Sequence, residues 1–196
     1  MQERHQRQSN QARTQATRSA LITAARILFI KKGYADTSTP EIVQAAGVTR
    51  GALYHHFTDK ADLFRAVVHA EFEAVEAEII ASATQEPENA IDALMLGGWG
   101  YLNAMRKPGR VRLLLLDGPA VLGRLEMDAI DRETSADALR LGLIAAIESG
   151  EIKPLPLEEL TVLLSAMFDR AALAVAEGGA PEKHLNIFQI IISALK

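Results

Sequence analysis

The side chains that could serve as catalysts or metal ligands do not occur at productive spacings in this sequence. The histidines stand at positions 5, 55, 56, 69 and 184, and there is no cysteine. His55 and His56 are neighbours and point to different faces of a helix; Glu182 and His184 are two residues apart, whereas a Glu-x-x-His metal motif needs three. The sequence also lacks an HExxH, a GxSxG and a glycine-rich phosphate loop. We therefore expect a protein that is not an enzyme, with no metal site and no cofactor.

Charge is divided unevenly along the chain. Residues 1–60 carry nine Lys or Arg against four Asp or Glu, whereas residues 61–196 carry twelve against twenty-one, so balances of +5 and −9 give the net −4. A basic first third favours contact with a polyanion such as nucleic acid. A polar tail that holds arginines only for solubility would give the same balance, so charge alone leaves both interpretations open.

The composition is that of a protein with a packed core. Hydrophobic residues make up 48% of the 196 residues. The longest uncharged apolar stretches, such as Leu94 to Leu102, are far shorter than the roughly 18 residues that a membrane span requires. Residues 1–13 are polar and lack the apolar centre of a secretory signal. We therefore expect a protein that stays in the cytoplasm and has no membrane partner.

An all-α fold of about nine helices is predicted. Apolar residues recur at three and four positions rather than two, Ala and Leu dominate, and aromatic residues are only 5%. Glycine and proline mark the ends of the helices. The helices are expected at about 17–32, 38–47, 49–57, 60–83, 88–106, 108–116, 120–149, 157–177 and 181–195.

Helix start and stop signals are densest at about residues 38–57. Ser38 and Glu41 fit a capping box that opens a helix, and Gly47 is placed to end it after two turns. Thr49 can cap the next helix. The residues expected to face inward are Ile42, Ala45, Ala46, Leu53 and Phe57. Two short helices joined by a glycine turn are the shape that places the second helix in the major groove of DNA, although an ordinary antiparallel helix pair is the alternative.

Gly51 adds to the DNA-binding interpretation. Glycine near the start of a helix costs about 1 kcal/mol relative to alanine. That cost makes sense where the backbone must come close to a bulky partner such as a base or a phosphate.

The segment from Thr39 to Lys60, followed by Asp62-Leu63-Phe64, resembles the signature of the tetracycline-repressor (TetR) family of transcriptional regulators. The matching features are the small-small-Gly turn, a recognition helix that ends in Leu-Tyr-His-His-Phe, and the lysine that opens the fourth helix. The resemblance covers about 45 residues counted from Leu21, and beyond them the chain is similar to the family only in length and helical texture.

The resemblance implies a division into a flexible basic arm (1–16), a three-helix helix-turn-helix DNA-binding domain (17–60) and a helical ligand-binding and dimerisation domain (61–196). It implies a ligand-responsive regulator, in particular a repressor that a small molecule releases from a palindromic double-stranded DNA operator. The mixture of large apolar side chains and glycines at 88–106 indicates that this molecule is bulky and largely apolar. A transcriptional activator, or a ligand-independent DNA-binding protein of the same fold, is the alternative.

The resemblance also implies individual DNA contacts. Thr49, Arg50 and Gly51 are expected nearest the base edges, where a guanidinium can bind guanine with two hydrogen bonds. Contacts to phosphates are expected from Thr39, Tyr54, His55 and Lys60. Tyr54 could instead be half-buried packing. The arm could reach a minor groove with Arg4, Arg7, Arg13 and Arg18, or have no contact role.

The second domain is expected to hold a homodimer interface and an effector pocket. The last two helices are apolar over more of their circumference than a one-sided helix needs, so four helices from two chains could pack together; completion of a monomeric core is the alternative. The interface candidates are Leu160, Leu164, Met167, Leu185, Phe188, Ile191, Ile192 and Leu195. The pocket candidates are Phe72, Met95, Trp99, Tyr101, Met105, Leu113, Leu116, Asp117, Met127, Phe168 and Arg170. Asp117 and Arg170 could orient a charged ligand, although Asp117 before Gly-Pro could be turn chemistry.

Overall fold

The computed structural model describes residues 2–82, 86–132 and 135–196, with side chains from residue 11 onward except at 135–137. Within these ranges every regular element is helical, so the predicted all-α class is confirmed. The α-helices are α1 (Gln2–Lys32), α2 (Thr39–Ala46), α3 (Arg50–His56), α4 (Lys60–Ser82), α5 (Ala90–Met105), α6 (Gly118–Leu122), α7 (Arg124–Arg132), α8 (Ser135–Glu148), α9 (Leu157–Ala176) and α10 (Pro181–Ser193), and a π-helix covers Arg112–Asp117.

The first helix is longer than expected. It begins at Gln2 rather than near Thr17, and the added residues are rich in Gln, Arg and Ala, which favour helix. The side chains of Arg4 and Arg7 lie outside the described residues. A minor-groove contact by the arm stays a prediction.

The region expected to hold helices 108–116 and 120–149 is divided differently. The predicted break at Gly118-Pro119 is wrong: the N–H of Gly118 donates to the carbonyl of Leu113, five residues back, and Pro119 lies in the first turn of α6, where its missing N–H costs little. The chain breaks instead at Gly123, whose φ of 85° is left-handed. The long helix expected at 120–149 is therefore the end of α6 followed by α7 and α8.

The N-terminal helices share a small core. Leu21 and Phe29 of α1, Ile42 of α2 and Leu53 of α3 are completely buried, as the apolar periodicity indicates. Ala45, expected on the inner face of α2, is exposed, whereas Ala46 beside it is half-buried against the core.

An aromatic cluster fixes the start of α4 against α1. The ring of Phe64 lies 5.2 Å from that of Phe29 and 5.0 Å from that of Tyr34, both in edge-to-face orientation. Further along, α4 packs on α5, so that one continuous core runs from Leu21 to Ile192. Helix α4 therefore packs against both the N-terminal helix α1 and the later helix α5.

A buried ion-pair network joins α1, α4 and the segment that follows α5. Arg110, only 2% exposed, donates from Nε to Oε2 of Glu71 at 3.1 Å and from Nη1 and Nη2 to the carboxylate of Glu78 at 3.1 Å each. Arg26 of α1 pairs with the same Glu71. Burial alone would raise the pKa of Glu71, but the hydrogen bonds from Arg26 and Arg110 outweigh it and lower that pKa. The carboxylate is thus held ionised between two guanidinium groups.

Candidate DNA-binding surface and ligand cavity

The start of α2 is fixed by its own side chains. The hydroxyl of Ser38 accepts from the N–H of Glu41 at 3.4 Å, and Oε2 of Glu41 accepts from the N–H of Ser38 at 3.0 Å, so the predicted capping box is confirmed. The ion pair of Glu41 with Lys32, together with its bonds to Ser38, lowers the pKa of the Glu41 carboxyl to about 2. The box therefore stays ionised at neutral pH.

The turn between α2 and α3 follows the predicted chemistry. Gly47 adopts φ 66° and ψ 30°, the left-handed conformation that favours glycine at the end of a helix. Val48 then donates its N–H to the carbonyl of Val43 at 3.0 Å. Thr49 caps α3 by accepting from the N–H of Ala52 at 3.2 Å. The orientation of α3 is set within these few residues.

The outer face of α3 brings several of the predicted DNA-contact residues together. Arg50 is exposed and its guanidinium lies 5.5 Å from the centre of the Tyr54 ring. Tyr54 is 45% exposed. Hydrogen bonding to Thr39 lowers the pKa of its phenol most, and hydrogen bonding to Arg50 lowers it further. Packing burial is therefore a poor explanation for Tyr54. The polar groups of α2 and α3 meet on one exposed face.

The remaining residues on this surface are also accessible. Gly51 is exposed, and a Cβ added to it would have only the Thr49 hydroxyl within 4 Å, at 3.9 Å. His55 is exposed too, with its ring 5.2 Å from that of His56. A large flat partner can therefore approach the α3 backbone closely.

Lys60 is placed differently from the other candidates. Its ammonium donates to the carbonyls of Tyr34 at 2.8 Å and Thr37 at 2.9 Å, and it lies 4.2 Å from the centre of the Tyr34 ring. These bonds could not be predicted from the sequence, since the partners are 26 and 23 residues away. Lys60 holds the α1–α2 connection against the start of α4.

A cavity of about 210 Å³ lies between α4, α5, α7, α8 and α9. Its wall is mostly apolar, and the lining residues are Ile79, Ala93, Leu94, Gly97, Gly98, Tyr101, Asp131, Ala138, Leu139, Gly142, Ser165, Phe168 and Asp169. Glycine at 98 and 142 lets the helices come close here: a Cβ at Gly98 would lie 2.6 Å from the Phe168 ring, and one at Gly142 would lie 2.6 Å from Leu94.

Two polar side chains meet at the cavity wall. The hydroxyl of Tyr101 donates to Oδ1 of Asp169 at 2.7 Å. Burial raises the pKa of both groups, and for Tyr101 the carboxylates of Asp169 and Asp131 raise it further. The ring of Tyr101 packs edge-on against Phe168, with 6.0 Å between the centres. Tyr101 is therefore a fixed hydrogen-bond donor in an acidic, apolar setting.

Of the eleven pocket residues expected from the sequence, Tyr101 and Phe168 line this cavity. The other nine lie outside its lining. Asp117 pairs with Arg112 at 3.3 Å, and Arg170 lines a groove between α9 and α10. Phe72, Met105, Leu113 and Met127 are in the core, while Met95 is half-buried and Trp99 and Leu116 are exposed. The π-helix and the break at Gly123 change which faces of 112–132 point inward.

Sequence reasoning missed most of the lining, although helical spacing carried a signal. On α5 the lining residues Leu94, Gly97, Gly98 and Tyr101 follow i, i+3, i+4 and i+7. On α9, Ser165 lies three residues before Phe168, and Asp169 lies four residues after Ser165. Helical spacing from Tyr101 and Phe168 would thus have pointed to these lining residues.

The candidate dimer residues divide by burial. Leu164, Leu185, Phe188 and Ile192 pack in the core of their own chain, and Leu160, Met167, Ile191 and Leu195 are half-buried. The apolar side chains that α9 and α10 leave exposed are Val162, Leu163, Ile187 and Ile190, at 56–66%. Leu163 and Ile187 lie at helical spacing from the half-buried candidates Leu160, Met167 and Ile191, so this half of the predicted set borders the exposed stripe, and the interface stays a prediction.

The residues that the structure describes form neither a cluster of metal-binding side chains nor a membrane-spanning helix. In that part of the chain, no group of three or more histidine, aspartate or glutamate side chains could hold a metal ion. None of the helices described is long and apolar enough to cross a membrane.

Comparison with known proteins identifies the family. The family model for bacterial regulatory proteins of the tetR family matches residues 21–67, and that for the tetracyclin repressor-like C-terminal domain matches residues 91–195. The Transposon Tn10 TetC protein of Escherichia coli is 27% identical over 158 residues, which are 81% of this chain and 79% of that protein. The HTH-type transcriptional repressor AcnR of Corynebacterium glutamicum is 26% identical over 182 residues, covering 89% of this chain and 90% of AcnR.

Structural similarity extends over the whole fold. The crystal structure of a TetR-family transcriptional regulator from Pectobacterium atrosepticum is 29% identical, has a TM-score of 0.71 and covers 94% of each chain. The C-terminal family match alone spans more than half of the sequence, and the N-terminal match contains the capped α2–turn–α3 unit. The chain therefore belongs to the TetR family and is a helix-turn-helix transcriptional regulator.

Proposed function

We propose that this regulator is a repressor that binds a palindromic operator as a homodimer and is released by a small molecule bound in the cavity between α4, α5, α7, α8 and α9. The observation that carries the proposal is the exposed face of α2 and α3, where Thr39, Arg50 and Tyr54 meet on a rigidly capped unit. Its work on chromosomal DNA would place it in the cytoplasm.

Arg50 and Thr49 suit base recognition in this proposal, because both lie at the N-terminal end of α3, the end of a recognition helix that enters the major groove. Gly51 would let the backbone approach. Thr39, Tyr54 and His55 would donate to phosphates and set the register. Lys60, whose ammonium already donates to two carbonyls, would act mainly by positioning the α1–α2 connection, with its remaining N–H available to a phosphate.

Replacing Arg50 with alanine should relax base preference at one position of each half-site. A bidentate arginine contributes about 1–3 kcal/mol of discrimination between bases, so the preference should fall by about 5- to 150-fold. Competition binding with single-base variants of the DNA upstream of its own gene measures this. Arg106→Ala, an exposed arginine at the end of α5, is the matched control and should leave every preference unchanged. An unchanged profile for Arg50→Ala would contradict the base-reading role.

A dimer is proposed because one recognition helix reads too few bases for a specific site. The exposed stripe on α9 and α10, with Leu163 and Ile190 each more than 60% exposed, is an apolar surface that a second copy could bury. The groove between the two helices, lined by Met167 and Ile187 among others, is continuous with it.

Ile190→Glu should convert the dimer to a monomer, because a charge would be buried at the centre of the interface. Sedimentation velocity at micromolar concentration should show a dimer for the unmodified chain and a monomer for the variant. Leu125→Glu is the control: Leu125 is 89% exposed on α7, and its replacement should leave the dimer intact. A monomeric unmodified chain would rule out this interface.

Helix α4 is the proposed route from the effector to the DNA. Its Ile79 lines the cavity, its Glu71 pairs with Arg26 of α1, and its Lys60 holds the connection to α2. A ligand that binds more tightly when α4 is displaced would move the two recognition helices out of register with the groove.

The repressor role itself is tested in cells. Deleting the gene should raise expression from a reporter driven by the operator-bearing promoter, and restoring it should lower expression again. A fall in reporter expression on deletion would instead indicate an activator. Regulation of the reporter that no added compound alters would favour a ligand-independent regulator.

A further inference from the structure

We propose that the cavity between α4, α5, α7, α8 and α9 is built for a lipophilic organic cation, namely an aromatic ring that carries a short aliphatic amine. The inference rests on the proposed effector role of this cavity and adds the chemical class of the effector. Three observations carry it: the size of the cavity, its apolar wall, and the sign of its ionisable groups.

The size and wall suit one ring with a short arm. An apolar cavity of about 150 Å³ holds benzene, so about 210 Å³ leaves room for a ring and two or three further heavy atoms. Leu94, Leu139 and Phe168 provide apolar surface. Gly97 faces open space, because a Cβ added there would have no atom within 4 Å.

The ionisable side chains that line the cavity are acidic. Among its described lining residues these are Asp131, Asp169 and Tyr101, and none is Lys, Arg or His. Asp169 accepts the Tyr101 hydroxyl on Oδ1, while its Oδ2 takes part in no hydrogen bond within the part of the chain described. A carboxylate in apolar surroundings gains most from a cationic partner, and an anionic ligand would meet the like charge of Asp169.

The setting of Asp169 makes the preference depend on pH. The groups that act on it are Tyr101 on α5 and, on α7, Arg124 and Asp128, with Asp131 on the same wall. Burial, the largest influence, raises the pKa of Asp169. A cation binds the ionised form, so its affinity should increase as the pH rises through that raised pKa and level off above it.

Isothermal titration calorimetry of the full chain with three matched probes tests the class. The probes are 2-phenylethylamine, 2-phenylethanol and 3-phenylpropanoate, which are cationic, neutral and anionic at neutral pH. The amine should bind about tenfold or more tightly than the alcohol, because a charge-assisted hydrogen bond replaces a neutral one, and the propanoate should bind least. As the pH rises through the raised pKa of Asp169, only the amine should gain affinity.

Two variants assign the effect to the site. Asp169→Asn keeps an acceptor for Tyr101 and should bring the affinity for the amine down to that for the alcohol. Gly97→Leu fills the open space and should abolish binding of every probe, while thermal unfolding confirms that each variant folds.

The outcomes separate this inference from the proposed function. Equal or tighter binding of the alcohol or the propanoate, lost in Gly97→Leu, would overturn the cation class but leave the cavity as an effector site. Amine binding that survives Gly97→Leu, or no binding of any probe at millimolar concentration, would also overturn the inference. Fluorescence anisotropy of a labelled operator tests the effector role separately. If the amine binds tightly but the protein stays on the operator, the ligand class stands and the effector role is overturned.

Discussion

Raising the salt concentration from about 50 to about 200 mM should weaken binding to the operator by about a thousandfold, if each protomer of the dimer neutralises about three phosphates. The cause is the release of counterions when Lys and Arg replace them on DNA. From residue 11 to residue 60, four cationic side chains are exposed and pair with neither a carboxylate nor a carbonyl: Arg13, Arg18, Lys31 and Arg50. Fluorescence anisotropy with DNA from upstream of the gene, repeated across salt concentrations, gives the slope.

A variant pair makes the salt test specific. Arg18→Ala removes one exposed cation per protomer, whose guanidinium lies 5.3 Å from the ring of Phe57 at the end of α3, and should reduce the slope by about two for the dimer. Lys153→Ala, exposed in the connection between α8 and α9, should leave the slope unchanged. A flat salt response of the unmodified chain would be incompatible with phosphate contacts as the main source of affinity.

Glu71→Gln should lower the free energy of unfolding by about 1.5–3 kcal/mol, because Arg26 loses its carboxylate partner and the buried Arg110 keeps only Glu78. Glutamine keeps the shape of the side chain, so the loss reports charge rather than packing. The matched control is Glu158→Gln, whose pair with Arg140 is exposed and should contribute no more than about 1 kcal/mol. Urea unfolding monitored by circular dichroism measures both, and a Glu71→Gln loss below about 1 kcal/mol would show that the network is not structural.

The same pair predicts a dependence on pH. The pKa of Glu71 is lowered in the folded chain, so its contribution to stability is fully present above the ordinary value of 4.5 and is lost as the pH falls through the lowered value. The gap in stability between the unmodified chain and Glu71→Gln should therefore narrow in acid. A constant gap down to about pH 2 would show that the ionised carboxylate is not the stabilising form.

The sequence predicted best where the deciding contacts are local. The Ser38–Glu41 box, the left-handed Gly47 and the Thr49 cap each involve partners within five residues, so residue types alone specify them. Family resemblance then supplied the assignment to transcriptional regulators. It could not supply the bonds of Lys60 to the carbonyls of Tyr34 and Thr37, since those depend on how α4 meets the α1–α2 connection.

The sequence by itself determined that the chain is helical, that its first third is basic, and that a capped helix-turn-helix lies at about 38–57. The tertiary structure alone decided which faces are inside: Leu164 and Phe188 are in the core while Leu163 and Ile190 are exposed, and Asp169 meets Tyr101 across 68 residues of chain. Helical periodicity restricts a side chain to one face of its helix, but burial depends on neighbours distant in sequence, and a π-helix or a left-handed glycine between them rotates every face that follows.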